Sequence, residues 1–340
     1  MKYIRSIFIF IFSFSVFGFA ALFAGGTKES AYAEGKKVVV YTTNSFAGSY
    51  GPGQKIAELF KARTGCEVEY VICKEGILNR AILEGKKTEA DVLIGIDNHL
   101  SAAARKANVL KPYKPQNADV IAENILLTDD WLLTPFDYGY LAFMFDTNSK
   151  LVPPKSLEDL TKAEYKGKIV IIDPRTSTTG LALVAWTKAV FGNKYLDYWK
   201  KLKANIFTMA PKWSAGYDLF TSGEAPFAFS YTTSLASHVL YDKTMRFQPL
   251  IFTDKHIIQI EGMGISAYAK HEKEAKLFID FMLTKEAQSL LPETQFMFPA
   301  ASGVKLPASF KNVPAPSNAL RIPTEDQTEY VNSVINVLQN

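Results

Sequence analysis

The alternation of strand-like and helix-like segments is the feature that most constrains how this chain folds. Runs rich in β-branched residues predict strands near residues 37–41, 68–72, 91–96, 168–172 and 256–260. Apolar residues spaced for one helical face predict helices near residues 56–60, 77–83, 101–107 and 272–283. Strands that alternate with helices form mostly parallel sheets flanked by helices. The sequence therefore predicts an α/β fold.

Two such series follow each other along the chain. The segment 133–146 separates them, and a second extended crossing is expected near residue 255. We expect lobe 1 to contain residues 36–138 and 255–340, and lobe 2 to contain residues 139–254. Ligands of such sheets bind beyond the carboxyl ends of the strands, so we expect a ligand cleft between the lobes.

Residues 1–33 have the pattern of a secretory signal peptide. Lys2 and Arg5 precede an apolar run over residues 7–24, and Ala31-Tyr32-Ala33 matches a small-x-small cleavage site. The apolar run is also about as long as a thin bilayer span needs, so an uncleaved membrane anchor is the alternative. In either case we expect a periplasmic or other extracytoplasmic location.

The charge and the potential metal ligands exclude several classes of function. The net charge is +4, or about +2 without the signal segment, and no basic cluster is interleaved with aromatic residues, which argues against a nucleic-acid surface. The four histidines lack metal-ligand spacing, and we expect neither a metal site nor a cofactor. If residues 67–72 form a strand, roughly 23 Å of extended chain separates Cys66 from Cys73, which is too far for a disulfide.

Hydroxyl-bearing residues in the second series form a candidate anion site. The strand near 168–172 stops at Asp173-Pro174, and Ser177 and Thr178 follow just before a helix. A helix start offers free N–H groups and the positive end of its dipole to an anion such as phosphate. Each candidate also has an ordinary interpretation as a helix cap or a packing residue. The other candidates in this series are Trp213, Ser214 as the cap of the next helix, Tyr231 and Thr232.

The first series carries a different chemistry. Phe46, Tyr50, Glu75 and Asp97 lie at predicted strand ends or in glycine-bounded loops. Aromatic faces and a carboxylate suit a flat, cationic or amine-bearing ring, although a loop carboxylate is more often simply solvated. Together the two series predict a ligand that is positive at one end and phosphorylated at the other.

Several blocks of this sequence resemble the periplasmic thiamine-binding proteins, which are the substrate-binding components of thiamine ABC importers. The blocks keep their order along nearly the whole mature chain and lie at residues 41–46, 51–53, 90–98, 135–140, 173–178, 213–214 and 230–234. The resemblance implies a two-lobed type II periplasmic binding protein fold, with thiamine and its mono- and diphosphate as ligands. It also implies a monomer that delivers its ligand to a membrane permease.

The resemblance also assigns contacts to individual residues. It places the phosphate contacts on Ser177, Trp213 and Tyr231, all of which match the family. It places a carboxylate that binds the pyrimidine on Glu75, where the family has Asp. The phosphate side of the expected site is therefore intact.

The wall that stacks on the ligand rings departs from the family. Thr43 replaces a Tyr, and Tyr50 and Phe296 each replace a Trp. Ser237 stands where the family has a further Tyr. These changes leave a related solute, such as a thiamine precursor, as an alternative ligand.

An enzyme is the alternative from another class. Bacterial thiaminases share this general fold and use a cysteine nucleophile helped by a carboxylate, and Cys73 lies two residues before Glu75. A reactive thiol needs an electropositive neighbourhood or a base, and Lys74 alone offers little of either.

A third alternative is an iron carrier. An iron carrier would need paired tyrosines, whereas Tyr231 is followed by Thr232. We therefore expect a binding protein and not an enzyme.

Overall fold

The computed structural model describes residues 36–73, 76–317, 319–320 and 327–340. The predicted signal peptide (1–33) and the candidate Glu75 lie outside these described residues. The strands are β1 (Lys37–Thr42), β2 (Glu67–Ile72), β3 (Val92–Asp97), β4 (Leu110–Lys111), β5 (Thr134–Asp146), β6 (Ile169–Ile172), β7 (Ile206–Ala210), β8 (Phe227–Tyr231), β9 (Phe247–Pro249), β10 (Ile258–Ser266) and β11 (Phe298–Pro299). The α-helices are α1 (Asn44–Ala47), α2 (Gly53–Thr64), α3 (Ile77–Glu84), α4 (Ser101–Ala107), α5 (Thr178–Phe191), α6 (Tyr195–Leu202), α7 (Trp213–Thr221), α8 (Ser234–Ser237), α9 (Glu272–Met282), α10 (Lys285–Gln288), α11 (Leu291–Thr294) and α12 (Thr328–Gln339).

In the first half of the sheet, β1, β2 and β3 run parallel, as the alternation predicts. β1 pairs with β2 along its whole length and with β3 at Val40 and Tyr41. The buried residues Ile56 and Phe60 of α2 pack into the same core as Val40. Because the strands are parallel, their carboxyl ends share one edge, where Thr43 follows β1.

In the second half, β6 pairs in parallel with both β7 and β8. The helices α5 and α7 begin just beyond the carboxyl ends of β6 and β7. α5 is apolar almost all round, and its residues 182–187 are all buried, because the helix lies between the sheet and other helices. The starts of α5 and α7 therefore lie at the same edge as the end of β8.

Strand β5 is shared by both halves. Its residues 134–140 pair with β10, and residues 141–146 pair with β8 and β9, always in the antiparallel sense. Because β10 is also antiparallel to β3, the sheet is mixed and not mostly parallel as predicted. β10 therefore lies between β3 and β5, and its residue Gln259 hydrogen-bonds both Asp97 at the end of β3 and Tyr231 at the end of β8.

The C-terminal helix α12 packs on the second half. Its residues Val331, Val334 and Ile335 belong to the same buried cluster as Trp186 of α5 and Trp199 of α6. The sequence predicts that residues 255–340 belong to lobe 1, whereas α12 packs on helices of the second half. The amphipathic pattern of a helix predicts that one face is buried, but it does not say against which partner.

Cys66 and Cys73 are both buried free thiols, which confirms the prediction that they form no disulfide. Burial raises the pKa of both thiols, in the case of Cys66 to about 11.

None of the helices that the structure describes combines the length and the apolar character that a membrane crossing requires.

Candidate functional site

Ser177 occupies the N-cap position of α5, directly after the turn that ends β6. Its backbone is extended, with φ −143° and ψ 132°, and its hydroxyl makes no capping bond to the helix. The first N–H groups of a helix have no intrahelical partner. The half-buried side chains of Ser177 and Thr178 therefore lie beside free amides at the positive end of a 14-residue helix, an arrangement that suits an anion.

Gly180 sets the distance between this helix start and the sheet. A Cβ atom at Gly180 would lie 2.4 Å from the carbonyl oxygen of Ile172 and 2.7 Å from the carbonyl carbon of Asp173. Backbone atoms at these distances cannot move aside as a flexible side chain can. Only glycine lets the first turn of α5 lie directly on the end of β6.

The turn between β6 and α5 is held by its own side chains. The Asp173 carboxylate accepts from the Arg175 backbone N–H at 2.9 Å and from Arg175 Nη2 at 2.6 Å. The Arg175 guanidinium consequently holds the pKa of Asp173 below its usual range. Thr176 Oγ1 donates to the Pro211 carbonyl at 2.6 Å, which connects this turn to the one after β7. Since Asp173 neutralises Arg175, the anion site is made of hydroxyls and amides.

Trp213 is the first residue of α7 and is held in one orientation. Its Nε1 donates to Ser230 Oγ at 2.8 Å, and its ring stacks on Tyr217 with centroids 5.0 Å apart. The Tyr217 hydroxyl is hydrogen-bonded to His238 Nε2 at 2.8 Å. The half-buried indole thus has one face against Tyr217 and part of its surface open at the edge where the ligand is expected.

The prediction that Ser214 caps α7 is wrong. The helix already begins at Trp213, and Lys212 occupies the N-cap position without a side-chain capping bond. Ser214 lies within the first helical turn and is exposed. Its hydroxyl and backbone N–H therefore belong to a second helix start at the same edge as Ser177.

Tyr231 connects the start of α5 with β10. Its hydroxyl donates to Gln259 Oε1 and lies 3.2 Å from Thr179 Oγ1. Gln259 Nε2 in turn donates to Asp97 Oδ2 at 2.6 Å and to Thr178 Oγ1 at 3.3 Å. Burial raises the pKa of Tyr231, so its hydroxyl stays protonated. This network connects the ends of β3 and β8 with the start of α5.

Gln259 is a residue that the sequence analysis missed. It is 1% exposed and stands between the apolar residues Ile258 and Ile260 in β10. A polar side chain at every second position of an otherwise apolar strand faces away from the apolar core. The alternation of the polar Gln259 with its apolar neighbours was therefore the sequence signal that could have identified this residue.

The remaining residues of the run 230–234 are divided between support and burial. Ser230 Oγ and Ser234 Oγ lie 2.8 Å apart, and Ser230 accepts from Trp213. Thr232 and Thr233 are almost completely buried, and neither hydroxyl has a hydrogen-bond partner among the described residues. Thr232 therefore does not lie on an accessible surface, unlike its neighbour Tyr231.

Three ring-binding candidates of the first half, Phe46, Thr43 and Tyr50, do not converge. Phe46 is 1% exposed and packs edge-to-face on Tyr70 and Phe136, so its predicted role as a loop aromatic is wrong. Thr43 is the N-cap of α1, where its hydroxyl accepts from the Phe46 backbone N–H. Tyr50 is 90% exposed. Of these three residues, only Thr43 lies at the carboxyl edge of the sheet. It is close to Gly95, because a Cβ atom built on Gly95 would lie 3.5 Å from Thr43 Cγ2.

Phe296 meets an aromatic side chain that the sequence analysis did not identify. Its ring packs edge-to-face on Tyr241 with centroids 5.7 Å apart. Tyr241 follows Ser237 by one helical turn, in the π-helical segment His238–Asp242. Phe296 has a left-handed backbone, with φ 53°, a conformation that is unfavourable for an aromatic residue and is found mainly at functional positions. The pair therefore supplies an aromatic surface close to the position of the missing family Tyr.

Cys73 does not have the surroundings of a nucleophile. Its thiol is 8% exposed, and its Sγ lies 3.6 Å from the Val71 carbonyl oxygen. Burial raises the pKa of this thiol, whereas a nucleophilic cysteine needs a lowered one. The enzyme alternative gains no support from this site.

Comparisons with known proteins agree with this geometry. The family described as "Bacterial extracellular solute-binding protein" matches residues 87–329. A "Thiamine-binding periplasmic protein" of Brucella abortus biovar 1 (strain 9-941) is 39% identical over 290 residues, which cover 84% of this chain and 86% of that protein. A protein of the same name from Escherichia coli (strain K12) is 36% identical, and the match covers 83% of this chain and 86% of that protein.

A solved structure extends the agreement to the fold. The structure titled "Periplasmic thiamin binding protein" superposes with a TM-score of 0.84 at 33% identity, and the match covers 89% of this chain and 96% of that one. The mixed sheet with flanking helices is that of the type II periplasmic binding proteins, the fold that the family resemblance implies. The relatives are binding proteins and not enzymes. The chain therefore belongs to the bacterial extracellular solute-binding proteins, and within them to the family of the periplasmic thiamine-binding proteins.

Proposed function

We propose that this protein captures thiamine, thiamine monophosphate or thiamine diphosphate outside the cytoplasm and delivers it to an ABC importer. The observation that carries the proposal is the hydroxyl of Ser177, which is not used to cap its own helix. Trp213 and Tyr231, from the two neighbouring strand ends, complete a neutral cradle for a phosphate. Thr178 and the exposed Ser214 add hydroxyl groups from the same two helix starts.

We further propose that the ligand lies between two lobes that close around it. Lobe 1 comprises residues 36–138 and the chain from 255 up to α12, and lobe 2 comprises residues 139–254 together with α12. The Gln259 network lies at the boundary between the two proposed lobes, because it connects β3 and β10 of one with β8 and α5 of the other. Closure would create the surface that the permease recognises, and the protein would act as a monomer.

On the ring side, we propose that Phe296 and Tyr241 replace the stacking surface that the family builds with Trp and Tyr. Thr43 and Glu75 would complete this side, Glu75 by accepting from the aminopyrimidine. Tyr50, at 90% exposure, could contribute only after closure.

The phosphate cradle is tested with Ser177→Ala. We expect this change to weaken binding of thiamine monophosphate about tenfold, because a hydrogen bond to a charged group is lost, and to leave binding of thiamine nearly unchanged. Isothermal titration calorimetry with thiamine, its monophosphate and its diphosphate measures the difference. Ser222→Ala, at an exposed serine beyond the end of α7, is the matched control. An equal loss for all three ligands would contradict the cradle.

The proposed ring wall is tested with Phe296→Ala and Tyr241→Ala. We expect each change to weaken binding of all three ligands by a similar factor, about fivefold to tenfold, because the lost aromatic contact is worth roughly 1 kcal/mol. Tyr268→Ala, at a partly exposed tyrosine after β10, is the control. Loss of affinity for the phosphorylated forms alone would assign these rings to the phosphate end.

A further inference from the structure

Three carboxyl groups stand side by side on three adjacent strands. In the pairing register, Glu261 of β10 lies opposite Asp97 of β3 on one side and opposite Asp137 of β5 on the other. Directly opposed residues of antiparallel strands point to the same face, with Cβ atoms about 5 Å apart. We refer to Asp97, Glu261 and Asp137 as the acidic row.

The acidic row lies next to the phosphate cradle. Gln259, two residues before Glu261 and on the same face, donates to Asp97 and to Thr178. Gly139 lies opposite Gln259 on β5, and a Cβ atom there would be 3.2 Å from Tyr231 Cδ1. The face that carries the row is therefore the face that Tyr231 covers.

Asp137 is the member of the row that lacks an explanation within the protein. Its side chain is 0% exposed, and among the described residues no N–H or hydroxyl group donates to either of its carboxylate oxygens, whose neighbour is the carboxyl group of Glu261. Asp97, in contrast, accepts from the backbone N–H groups of His99 and Leu100 as well as from Gln259. A buried carboxyl whose only close polar neighbour is a second acid is costly, and this neighbour, Glu261, is only partly buried.

The arrangement suits an organic cation better than a metal ion. Among the described residues, no group of three or more His, Cys, Asp or Glu side chains is placed to hold a metal. Three carboxyl groups in a line present their oxygen atoms along an edge, whereas a metal site needs ligands that converge on one point. A flat ring with a delocalised positive charge matches such an edge.

We propose that the acidic row binds the positively charged ring of the ligand, with Glu261 in direct contact and Asp97 and Asp137 behind it. The inference rests on the proposed function and adds a second subsite to it. In thiamine phosphates the phosphate is joined by a short ethyl link to the permanently cationic thiazolium ring. A cation site that Gln259 connects to Thr178 at the start of α5 therefore lies next to the proposed phosphate cradle, as a ligand with this short link requires.

The proposal predicts how binding depends on pH. The groups that face Glu261 are Asp97 from β3, Asp137 from β5, Tyr231 from β8 and Gln295 from the segment after α11. Burial together with Asp97 raises the pKa of Glu261 to about 7. The pKa of Asp137 is also raised, by burial and by Glu261. A cation favours the ionised row, so binding releases a proton and tightens as the pH rises.

The test uses thiamine itself, whose thiazolium charge does not titrate. From pH 6 to pH 8, a group with a pKa of about 7 changes from about one-tenth to about nine-tenths ionised, so the affinity of the wild-type protein should rise about tenfold. Calorimetry in two buffers with different ionisation enthalpies at pH 7 should show proton release. Glu261→Gln should bind thiamine roughly tenfold to a hundredfold more weakly at pH 8, without the pH dependence.

Glu224→Gln, at an exposed glutamate before β8, is the matched control and should behave as the wild type. Wild-type binding that is independent of pH and releases no proton would overturn the inference while leaving the proposed function intact. So would unchanged affinity in Glu261→Gln. If the wild-type protein binds neither thiamine nor its mono- or diphosphate at any pH, the proposed function itself is wrong. The proton-release measurement needs no variant, so it decides the question even if Glu261→Gln does not fold.

Discussion

Replacing Trp213 with alanine is expected to weaken binding of thiamine monophosphate by about a hundredfold, which corresponds to nearly 3 kcal/mol. The indole is positioned before the ligand arrives, because Tyr217 stacks on one face and Ser230 accepts from its Nε1. Its removal deletes a rigid aromatic contact at the site where α7 begins. Titration calorimetry measures the affinity, and intrinsic fluorescence of the wild-type protein reports ligand contact with this partly exposed tryptophan.

Trp213→Phe separates the two contributions of this side chain. Phenylalanine keeps a ring that can stack on Tyr217 but cannot donate to Ser230, so we expect an intermediate loss of about tenfold. Circular dichroism of each variant checks that the fold is retained. An alanine variant that is folded and binds with wild-type affinity would remove Trp213 from the site.

Replacing Gly180 with alanine is expected to lower the free energy of unfolding by about 3 kcal/mol. The new Cβ would lie 2.4 Å from the Ile172 carbonyl oxygen, so α5 must move away from the end of β6. The displacement also moves Ser177 and Thr178, and binding of the phosphorylated ligands should fall with stability. Urea unfolding followed by circular dichroism gives the stability change, and calorimetry gives the loss of affinity.

Gly192→Ala is the matched control at the other end of the same helix. A Cβ at Gly192 would meet no atom within 4 Å, although the positive φ of 56° adds some strain. Because φ 56° with ψ −126° lies outside the regions that residues other than glycine adopt, we expect a loss of about 1–3 kcal/mol in the free energy of unfolding and no change in ligand affinity. Equal losses of ligand affinity in the two variants would show that reduced stability, and not the displaced start of α5, weakens binding.

Much of the fold follows from local patterns in the sequence. Residues 37–41 and 68–72 form strands, and residues 77–83 and 101–107 form helices, because the period with which apolar residues recur is a property of neighbouring residues. The mixed sheet was not predictable in the same way. Strand direction depends on how β5 and β10 cross between the halves, and the pattern of a single buried strand contains no information on direction.

The candidate site shows the same division. Ser177 was predictable because a polar turn between a strand and a helix is a local feature, and so was Tyr231 at a strand end. The cap at Ser214 was misplaced by a shift in the helix start, since helix boundaries depend on which backbone groups find partners. Phe46 was misassigned because no local pattern shows that Tyr70 and Phe136 cover it.

By itself, the sequence determined the types of the elements, the position of Ser177 and Thr178 at the start of α5 and the free state of Cys66 and Cys73. Only the tertiary structure decided that α12 packs on α5 and α6, that Tyr241 meets Phe296 and that Gln259 joins Asp97 from 162 residues away. The acidic row belongs to this second group. It exists only because a strand register aligns Asp97, Glu261 and Asp137, and a shift of one residue in that register would turn the side chains to the other face.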